Sequence, residues 1–195
     1  MSIYQLKPKF QSLLRPCVKY IAERGNTPNQ ITILALVITL ISAVALCMVG
    51  PSFWWGLLPF VLFIRMALNA IDGMLAREHK MMSSQGFVLN ELCDLISDAA
   101  LYLSFMSIPG FSIYALFAFV LFAWLSEVIA ILSFQITQKR ANHGPMGKSD
   151  RAFLFGIMGI LVAIDVDFTL SGLWILLLAG AALLITIYRR LQTIN

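Results

Sequence analysis

The sequence predicts an all-α integral membrane protein with six transmembrane helices and an N-terminal amphipathic helix at the membrane interface. Three observations support this fold class. The chain of 195 residues is 59% hydrophobic and only 12% charged, its mean hydropathy is +0.84, and long apolar stretches alternate with clusters of Lys and Arg. Such a chain has too little polar surface to cover a water-soluble globule of this length.

Six apolar stretches are candidate membrane spans, because about 20 apolar residues cross the roughly 30 Å hydrocarbon core of a bilayer. In chain order they are Ile31–Gly50, Phe53 to about Ile71, about Phe87–Ile108, Phe111 to about Thr137, Phe153 to about Ile164, and Leu170–Tyr188. We expect the first helix to begin after Thr27, an N-cap residue that precedes Pro28. The second and third stretches contain charged residues, which are costly in a membrane and therefore indicate function.

The pattern of apolar and basic residues in 1–26 predicts an amphipathic helix that lies on the membrane surface. Its apolar side, opposite the basic residues, consists of Ile3, Leu6, Phe10, Leu13, Leu14, Cys17 and Ile21. Pro8 and Pro16 are candidate break points in this helix. The alternative to a helix is that residues 1–26 form a loose basic tail. Residues 27–195 then form a six-helix bundle, so that the whole chain, 1–195, is one membrane domain.

Lys and Arg occupy alternate connections, which predicts the orientation because positively charged loops stay cytoplasmic. They lie before the first span, after the second, between the fourth and fifth, and after the sixth, whereas the three opposite connections have none. Both termini are therefore expected in the cytoplasm of a bacterium, with the protein in its inner membrane. The pI of about 9.1 follows from this charge distribution, and nucleic-acid binding has little support. Trp54 and Trp55 are expected as anchors at the outer interface.

Polar side chains are concentrated on the second and third spans. The two helical stripes consist of Arg65, Asn69, Asp72 and Ala76, and of Gly86, Asn90, Asp94 and Asp98. Their negative charge requires compensation, which a divalent cation would supply. Oxygen ligands select hard ions such as Mg²⁺, Mn²⁺ or Ca²⁺. Arg65, Asp98 and Glu127 are expected at similar depths in the membrane. We therefore expect Arg65 to form a structural salt bridge with Asp98 or Glu127.

The segment from Asn69 to Asp94 closely resembles the signature of the CDP-alcohol phosphatidyltransferases, D-x2-D-G-x2-A-R-x8-G-x3-D-x3-D. Every spacing of the signature is kept, while its first and third aspartates are Asn69 and Asn90 in this chain. The size, the number of spans and the cytoplasmic termini also resemble this family, in particular its bacterial phosphatidylglycerophosphate synthase-like branch. The resemblance implies a transferase of phospholipid biosynthesis that displaces CMP from CDP-diacylglycerol with an acceptor hydroxyl.

The resemblance also implies roles for individual residues. Asp94 would be the general base on the acceptor hydroxyl, and Asp98, one turn deeper, is the alternative base. The implied ligands of Mg²⁺ or Mn²⁺ are Asn69, Asp72, Asn90, Glu91 and Asp94. The implied nucleotide-binding residues are Gly73, Ala76, Arg77, Gly86 and Thr32, the last in a P-N-x2-T stretch with Asn29. Lys148 and Arg151 are candidates for binding an acceptor phosphate or an acidic headgroup.

Two other functional classes stay open at this point. A catalytically impaired membrane scaffold is favoured by Asn69 and Asn90, and a small cation-coupled transporter would use the acidic cluster to bind its ion. The acceptor is also open between glycerol phosphate, inositol phosphate, serine and another phospholipid. Family members are commonly homodimers, and Gly156, Gly159 and Ala163 are small enough for close helix packing.

Overall fold

α-Helices make up most of the chain in the computed structural model, which describes residues 6–138 and 140–194. The helices are α1 Leu6–Glu23, α2 Pro28–Val49, α3 Leu58–Glu78, α4 Ser84–Leu103, α5 Ile113–Thr137, α6 Lys148–Ala163 and α7 Gly172–Leu191. Short 3-10 helices precede α3, at Phe53–Leu57, and follow α4, at Ser104–Ser107. No β-strand occurs in the described residues, so the all-α prediction is confirmed.

Four helical segments are long and apolar enough to cross a membrane, namely Pro28–Val49, Phe53–Glu78, Ile113–Thr137 and Gly172–Leu191. They correspond to the first, second, fourth and sixth predicted spans. Helix α6 has 16 residues, and α4 carries the acidic residues of the third predicted span, which lowers its hydropathy. Helix α6 begins earlier than expected, so Lys148 and Arg151 lie in its first turn and not in a loop.

The start of α2 follows the local prediction. The Thr27 backbone N–H donates to Gln30 Oε1 at 2.8 Å, and the Gln30 N–H donates to Thr27 Oγ1 at 3.4 Å. These reciprocal bonds satisfy N–H groups that a helix start leaves without partners. Pro28 is the first residue of the helix, where the missing N–H of proline costs nothing.

Two compact units divide the chain, the first formed by Met1–Ser42 and Phe60–Ser97 and the second by Ala43–Pro59 and Asp98–Asn195. In the first unit, α1 packs against α2 and α3. The buried residues of this contact are Val18, Ile31, Ile71, Met74 and Leu75. Their burial removes apolar surface from water, which stabilises the contact by about 25 cal/mol per Å². This contact holds α1 against the rest of its unit.

Helix α1 is continuous from Leu6 to Glu23 with Pro16 inside it, so the expected break does not occur there. Pro8 lies in the first turn of the helix, where a proline removes no intrahelical hydrogen bond. The packed side of α1 includes Leu14 and Ile21, whereas Leu13 is 74% exposed. Ile3 and the side chain of Leu6 lie outside the described residues.

The core of the second unit is largely aromatic. Tyr102 stacks on Phe155 with ring centroids 4.2 Å apart, and Trp55 meets Phe105 edge-on at 4.6 Å. Trp55 is completely buried, so its predicted place as an interfacial anchor is wrong, while Trp54 is 56% exposed. Each edge-on or stacked aromatic pair stabilises the fold by roughly 0.5–1.5 kcal/mol beyond the gain from burying its apolar surface.

Small residues of α6 pack inside the second unit. A Cβ atom on Gly159 would lie 2.9 Å from Leu58 Cδ2 and 3.1 Å from the Trp55 carbonyl oxygen. The Ala163 Cβ lies 3.4 Å from the position of a Cβ on Gly56. Because α6 could not approach the 3-10 helix with a larger residue at position 159, this glycine serves packing within the chain.

Candidate functional site

A cavity of about 200 Å³ lies in the first unit, where α2 begins, α3 ends and α4 begins. Of the predicted site residues, its lining includes Thr32, Asp72, Gly73, Ala76, Arg77, Gly86 and Asn90. Its other lining residues are Pro28, Asn29, Met81, Met82, Ser83 and Phe87. We call it the signature cavity. The fold thus brings residues that are far apart in the signature to one place, together with Asn29 from the start of α2.

Asp72 is held by a hydrogen bond from another helix. The Thr32 hydroxyl donates to Asp72 Oδ2 at 2.7 Å, and the two residues are only 4% and 5% exposed. Hydrogen bonds to an ionised carboxylate are short and about twice as strong as neutral ones. This contact therefore fixes the orientation of a carboxylate at the wall of the signature cavity.

Arg77 folds back over Gly73 on α3. Its Nη1 atom lies 3.2 Å from the position that a Cβ on Gly73 would occupy. Arg77 itself is exposed, and both residues line the signature cavity. A side chain at position 73 would crowd the guanidinium, so glycine leaves space for this cation at the cavity.

Gly86 keeps the opposite wall of the signature cavity clear. A Cβ at this position would lie 2.9 Å from Asn29 Oδ1 and 3.0 Å from Ser83 Oγ. Ser83 Oγ accepts a hydrogen bond from the Gly86 backbone N–H at 3.0 Å, which caps the start of α4. The N–H groups of a helix start favour anions, so this wall is suited to a phosphate group.

Asp94 lies on α4 in the same unit and is held by two side chains of α3. Its Oδ1 accepts hydrogen bonds from Arg65 Nη2 at 2.9 Å and from Asn69 Nδ2 at 2.7 Å. Arg65 Nη2 also lies 3.0 Å from the Asp94 carbonyl oxygen. Sequence reasoning missed this pair, although Arg65 and Asn69 share a helical stripe. The expected approach of Arg65 to Asp98 or Glu127 stays a prediction.

The donor set fits a hard divalent cation. Asn90 Oδ1 is buried and has no hydrogen-bond partner among the described residues, which leaves a carboxamide oxygen available near Asp72 in the cavity lining. No group of three or more His, Cys, Asp or Glu side chains suited to a metal occurs within residues 6–138 and 140–194. Mg²⁺ typically takes one or two carboxylates together with waters and substrate phosphates, so a site completed by asparagine oxygens and a diphosphate suits it.

The remaining predicted residues lie outside the lining of the signature cavity. Glu91 follows Asn90 on α4. In the second unit, Arg151 is completely buried, with Nη2 2.9 Å from Glu127 Oε1 and 3.5 Å from Asp98 Oδ2. Lys148 is the first residue of α6.

Helix α1 is also attached to the end of α3 by an exposed ion pair. Arg15 Nη2 donates to Glu78 Oε1 at 3.0 Å. The hydrogen bond to Glu78 and, after it, the negative charge of Glu78 raise the pKa of the Arg15 guanidinium. Because Glu78 directly follows Arg77, this contact ties α1 to the helix end that carries the cavity's cation.

A sequence profile of the CDP-alcohol phosphatidyltransferases matches residues 25–188. The chain belongs to this family. The match covers α2 to most of α7 and includes every residue of the signature cavity. The family resemblance of the segment from Asn69 to Asp94 is therefore confirmed, whereas its assignment to the phosphatidylglycerophosphate synthase-like branch stays a prediction.

Two named relatives illustrate the range of similarity within the family. The chain is 44% identical over 164 residues to the inner membrane protein YnbA of Escherichia coli, covering 84% of this chain and 82% of that protein. It is 32% identical over 97 residues to the archaetidylinositol phosphate synthase of Pyrococcus horikoshii, covering 50% of each. The second alignment therefore spans only half of that enzyme.

Solved structures of phosphatidylinositol phosphate synthase from Mycobacterium tuberculosis share the fold. One, in complex with CDP-DAG, superimposes with a TM-score of 0.71 at 21% identity and covers 92% of both chains. Another, in complex with manganese and citrate, has the same TM-score and identity and covers 92% of this chain and 87% of that chain. At this identity the likeness establishes the helical architecture alone.

Proposed function

We propose that this family member transfers the phosphatidyl group of CDP-diacylglycerol to the hydroxyl group of an acceptor, releasing CMP, in phospholipid biosynthesis. The observation that carries the proposal is the convergence of Asp72, Gly73, Arg77, Gly86 and Asn90 on one cavity. A carboxylate, a cation, a carboxamide oxygen without a partner in the described part of the chain and two glycines lie at one cavity. This set suits a diphosphate that binds with a metal ion. Complexes of relatives with CDP-DAG and with manganese support this interpretation.

The donor would bind with its diphosphate in the signature cavity. Arg77 provides the cation for the diphosphate, since guanidinium groups form bidentate hydrogen bonds with phosphate oxygens. Gly73, Ala76 and Gly86 leave the space that the nucleotide needs, and Thr32 holds Asp72. In this assignment the nucleotide is recognised chiefly by the ends of α2, α3 and α4.

Asp72 and Asn90, with Asn69, Glu91 and Asp94 as further candidates, would hold Mg²⁺ or Mn²⁺. The ion would neutralise charge on the diphosphate during transfer. Since two of the candidate ligands are asparagines, their oxygens contribute no negative charge, and we expect weaker metal binding than an all-aspartate set would give.

The transfer forms a bond between the acceptor oxygen and the phosphorus that carries diacylglycerol, and breaks the bond from that phosphorus to the oxygen of the leaving CMP. Asp94 would take the proton of the acceptor hydroxyl, and its contacts with Arg65 and Asn69 hold it in one orientation. Asp98 is the alternative base, and Lys148 and Arg151 are the candidate acceptor-binding residues.

The membrane arrangement that we propose has α2 to α7 as six spans and α1 at the cytoplasmic interface. The shorter helix α6, at about 1.5 Å per residue, reaches most of the way across the hydrocarbon core. Both termini and the signature cavity then face the cytoplasm of a bacterial inner membrane, as the distribution of Lys and Arg favours. We also propose a homodimer, as is common in the family.

The deciding experiment measures CMP release by the purified protein from CDP-diacylglycerol with a panel of acceptors. We expect release that stops on addition of EDTA and returns with Mn²⁺ or Mg²⁺, and that is abolished in Asp72→Asn and Asp94→Ala. Absence of release under all conditions would favour a scaffold. Cation flux into proteoliposomes without CMP release would favour a transporter. An unchanged rate in Asp94→Ala, with loss in Asp98→Ala, would move the role of base to Asp98.

A further inference from the structure

Arg65 is a buried cation at the last aspartate of the signature. It is only 6% exposed, and its Nη2 atom donates to Asp94 Oδ1 at 2.9 Å and to the Asp94 carbonyl oxygen at 3.0 Å. One nitrogen of the guanidinium is thus held by two oxygens of the same residue. Because a guanidinium is always charged in a protein, Arg65 gives Asp94 a permanent positive partner on the neighbouring helix.

The amide group of Asn69 is the second partner of this aspartate on α3. Its Nδ2 donates to the same oxygen, Asp94 Oδ1, at 2.7 Å. An aspartate at position 69, as in the family signature, would bring a second negative charge to this place, and two carboxylates so close together repel unless a cation lies with them. Asn69 forms a hydrogen bond instead, so positions 69 and 94 are held together without an ion.

The charge of the candidate metal ligands favours one ion and not two. Asn69 and Asn90 give this chain two fewer negative charges than the aspartates of the signature, which is the charge of one divalent cation. Arg65 adds a further positive charge beside them. Sites with two ions about 3.5–4 Å apart require several carboxylates to compensate a charge of +4. In the two described ranges, no group of three or more His, Cys, Asp or Glu side chains is suited to a metal.

The oxygens suited to the one remaining ion lie in the signature cavity. Asp72 and Asn90 both line it, Thr32 orients the Asp72 carboxylate through a hydrogen bond of 2.7 Å, and Asn90 Oδ1 is buried without a hydrogen-bond partner in the described part of the chain. Asp94 and Asn69 lie outside the lining of this cavity. The structure therefore separates a pair of cavity oxygens from an aspartate that already has a cation.

We propose that this enzyme uses a single divalent cation, bound by Asp72 and Asn90, and that the guanidinium of Arg65 serves Asp94 in place of a second ion. The inference rests on the metal-dependent transfer proposed above and defines its metal stoichiometry. Arg65 is a positioning residue in this assignment, because it acts through Asp94. Since the guanidinium is part of the chain, only one ion has to be taken up from solution.

The test counts the Mn²⁺ ions that bind to the purified, metal-free protein in detergent. Equilibrium dialysis with radiolabelled Mn²⁺, without nucleotide and with CDP, should give one ion per wild-type chain. The electron paramagnetic resonance spectrum should be that of an isolated Mn²⁺ without coupling to a second ion. Two ions per wild-type chain, or a coupled spectrum, would overturn the inference.

A set of variants tests the part played by Arg65. Asn69→Asp/Asn90→Asp restores the aspartates of the signature and should bind a second Mn²⁺. Addition of Arg65→Met should tighten the binding of this second ion at least tenfold, whereas Arg65→Lys keeps the positive charge and should change it less than threefold. Arg15→Met, which breaks the exposed ion pair with Glu78, is the matched control and should change it less than twofold. Equal affinities with and without Arg65→Met would refute the role of Arg65.

The metal count separates this inference from the proposed function, because dialysis requires no turnover. Normal CMP release by a wild-type chain that binds two ions would overturn the inference alone. Absence of CMP release with every acceptor would overturn the proposed function, while the number of bound Mn²⁺ ions would still decide the inference. If the variants with Arg65→Met do not fold, the wild-type count and the comparison with Arg65→Lys decide.

Discussion

Replacement of Arg65 by Met tests whether Asp94 depends on its guanidinium partner. In the structure Arg65 Nη2 lies 2.9 Å from Asp94 Oδ1, and the two side chains are only 7% and 16% exposed. Methionine keeps much of the apolar length of arginine but removes the cation. The variant leaves the Asp94 carboxylate with the 2.7 Å hydrogen bond from Asn69 as a contact to α3, in surroundings that hydrate a charge poorly.

The expected loss of stability follows from this burial. Removal of one partner of a buried ion pair typically costs about 3–5 kcal/mol, because the other charge stays buried without compensation. Asn69 and the partial exposure of Asp94 reduce that cost, so we expect about 3 kcal/mol for Arg65→Met. In Arg65→Met/Asp94→Asn both charges of the pair are gone, and the two changes should be non-additive by about 2 kcal/mol.

The assay is equilibrium unfolding in mixed SDS and dodecyl maltoside micelles, followed by far-UV circular dichroism, for the wild type, both single variants and the double variant. Arg15→Met is the matched control, since it breaks the exposed pair with Glu78 and should leave the unfolding midpoint unchanged within error. Strict additivity of the two single changes would refute the coupling between Arg65 and Asp94. Stability of Arg65→Met equal to that of the wild type would show that this carboxylate needs no cation.

Further predictions concern the signature cavity. Gly86→Ala places a methyl group 2.9 Å from the position of Asn29 Oδ1. This change should raise KM for CDP-diacylglycerol at least tenfold with little effect on KM for the acceptor. Gly180→Ala, at a glycine with open space around it, should change neither constant. Thr32→Val removes the donor to Asp72 and should raise the metal concentration for half-maximal CMP release by about 10–100-fold, the usual cost of losing such a supporting contact. Thr39→Val removes a hydroxyl that donates to a carbonyl oxygen of its own helix at 2.7 Å and should leave this metal concentration unchanged. Equal effects of the two threonine changes would contradict the role given to Thr32.

Local patterns allowed much of the fold to be predicted. The capping residue Thr27 and the Pro28 that follows it indicated where α2 begins, because capping depends on neighbouring residues alone. The spacing of the signature also predicted the polar stripes of α3 and α4, since helical periodicity places side chains three and four residues apart on one face. It did not predict the contacts of Arg65 and Asn69 with Asp94. Hydropathy gave the approximate helix positions but missed the first turn of α6, in which Lys148 and Arg151 lie.

The sequence by itself determined the helical class and the family, and its motifs indicated seven of the residues that line the signature cavity. The tertiary structure alone decided the partner of each buried charge. Arg65 and Asp94 are separated by 29 positions and Glu127 and Arg190 by 63, and nothing local to either residue selects the other. A charge in an apolar interior takes whichever opposite charge the packing of helices brings within hydrogen-bond distance, because leaving it without compensation costs more than any local preference provides.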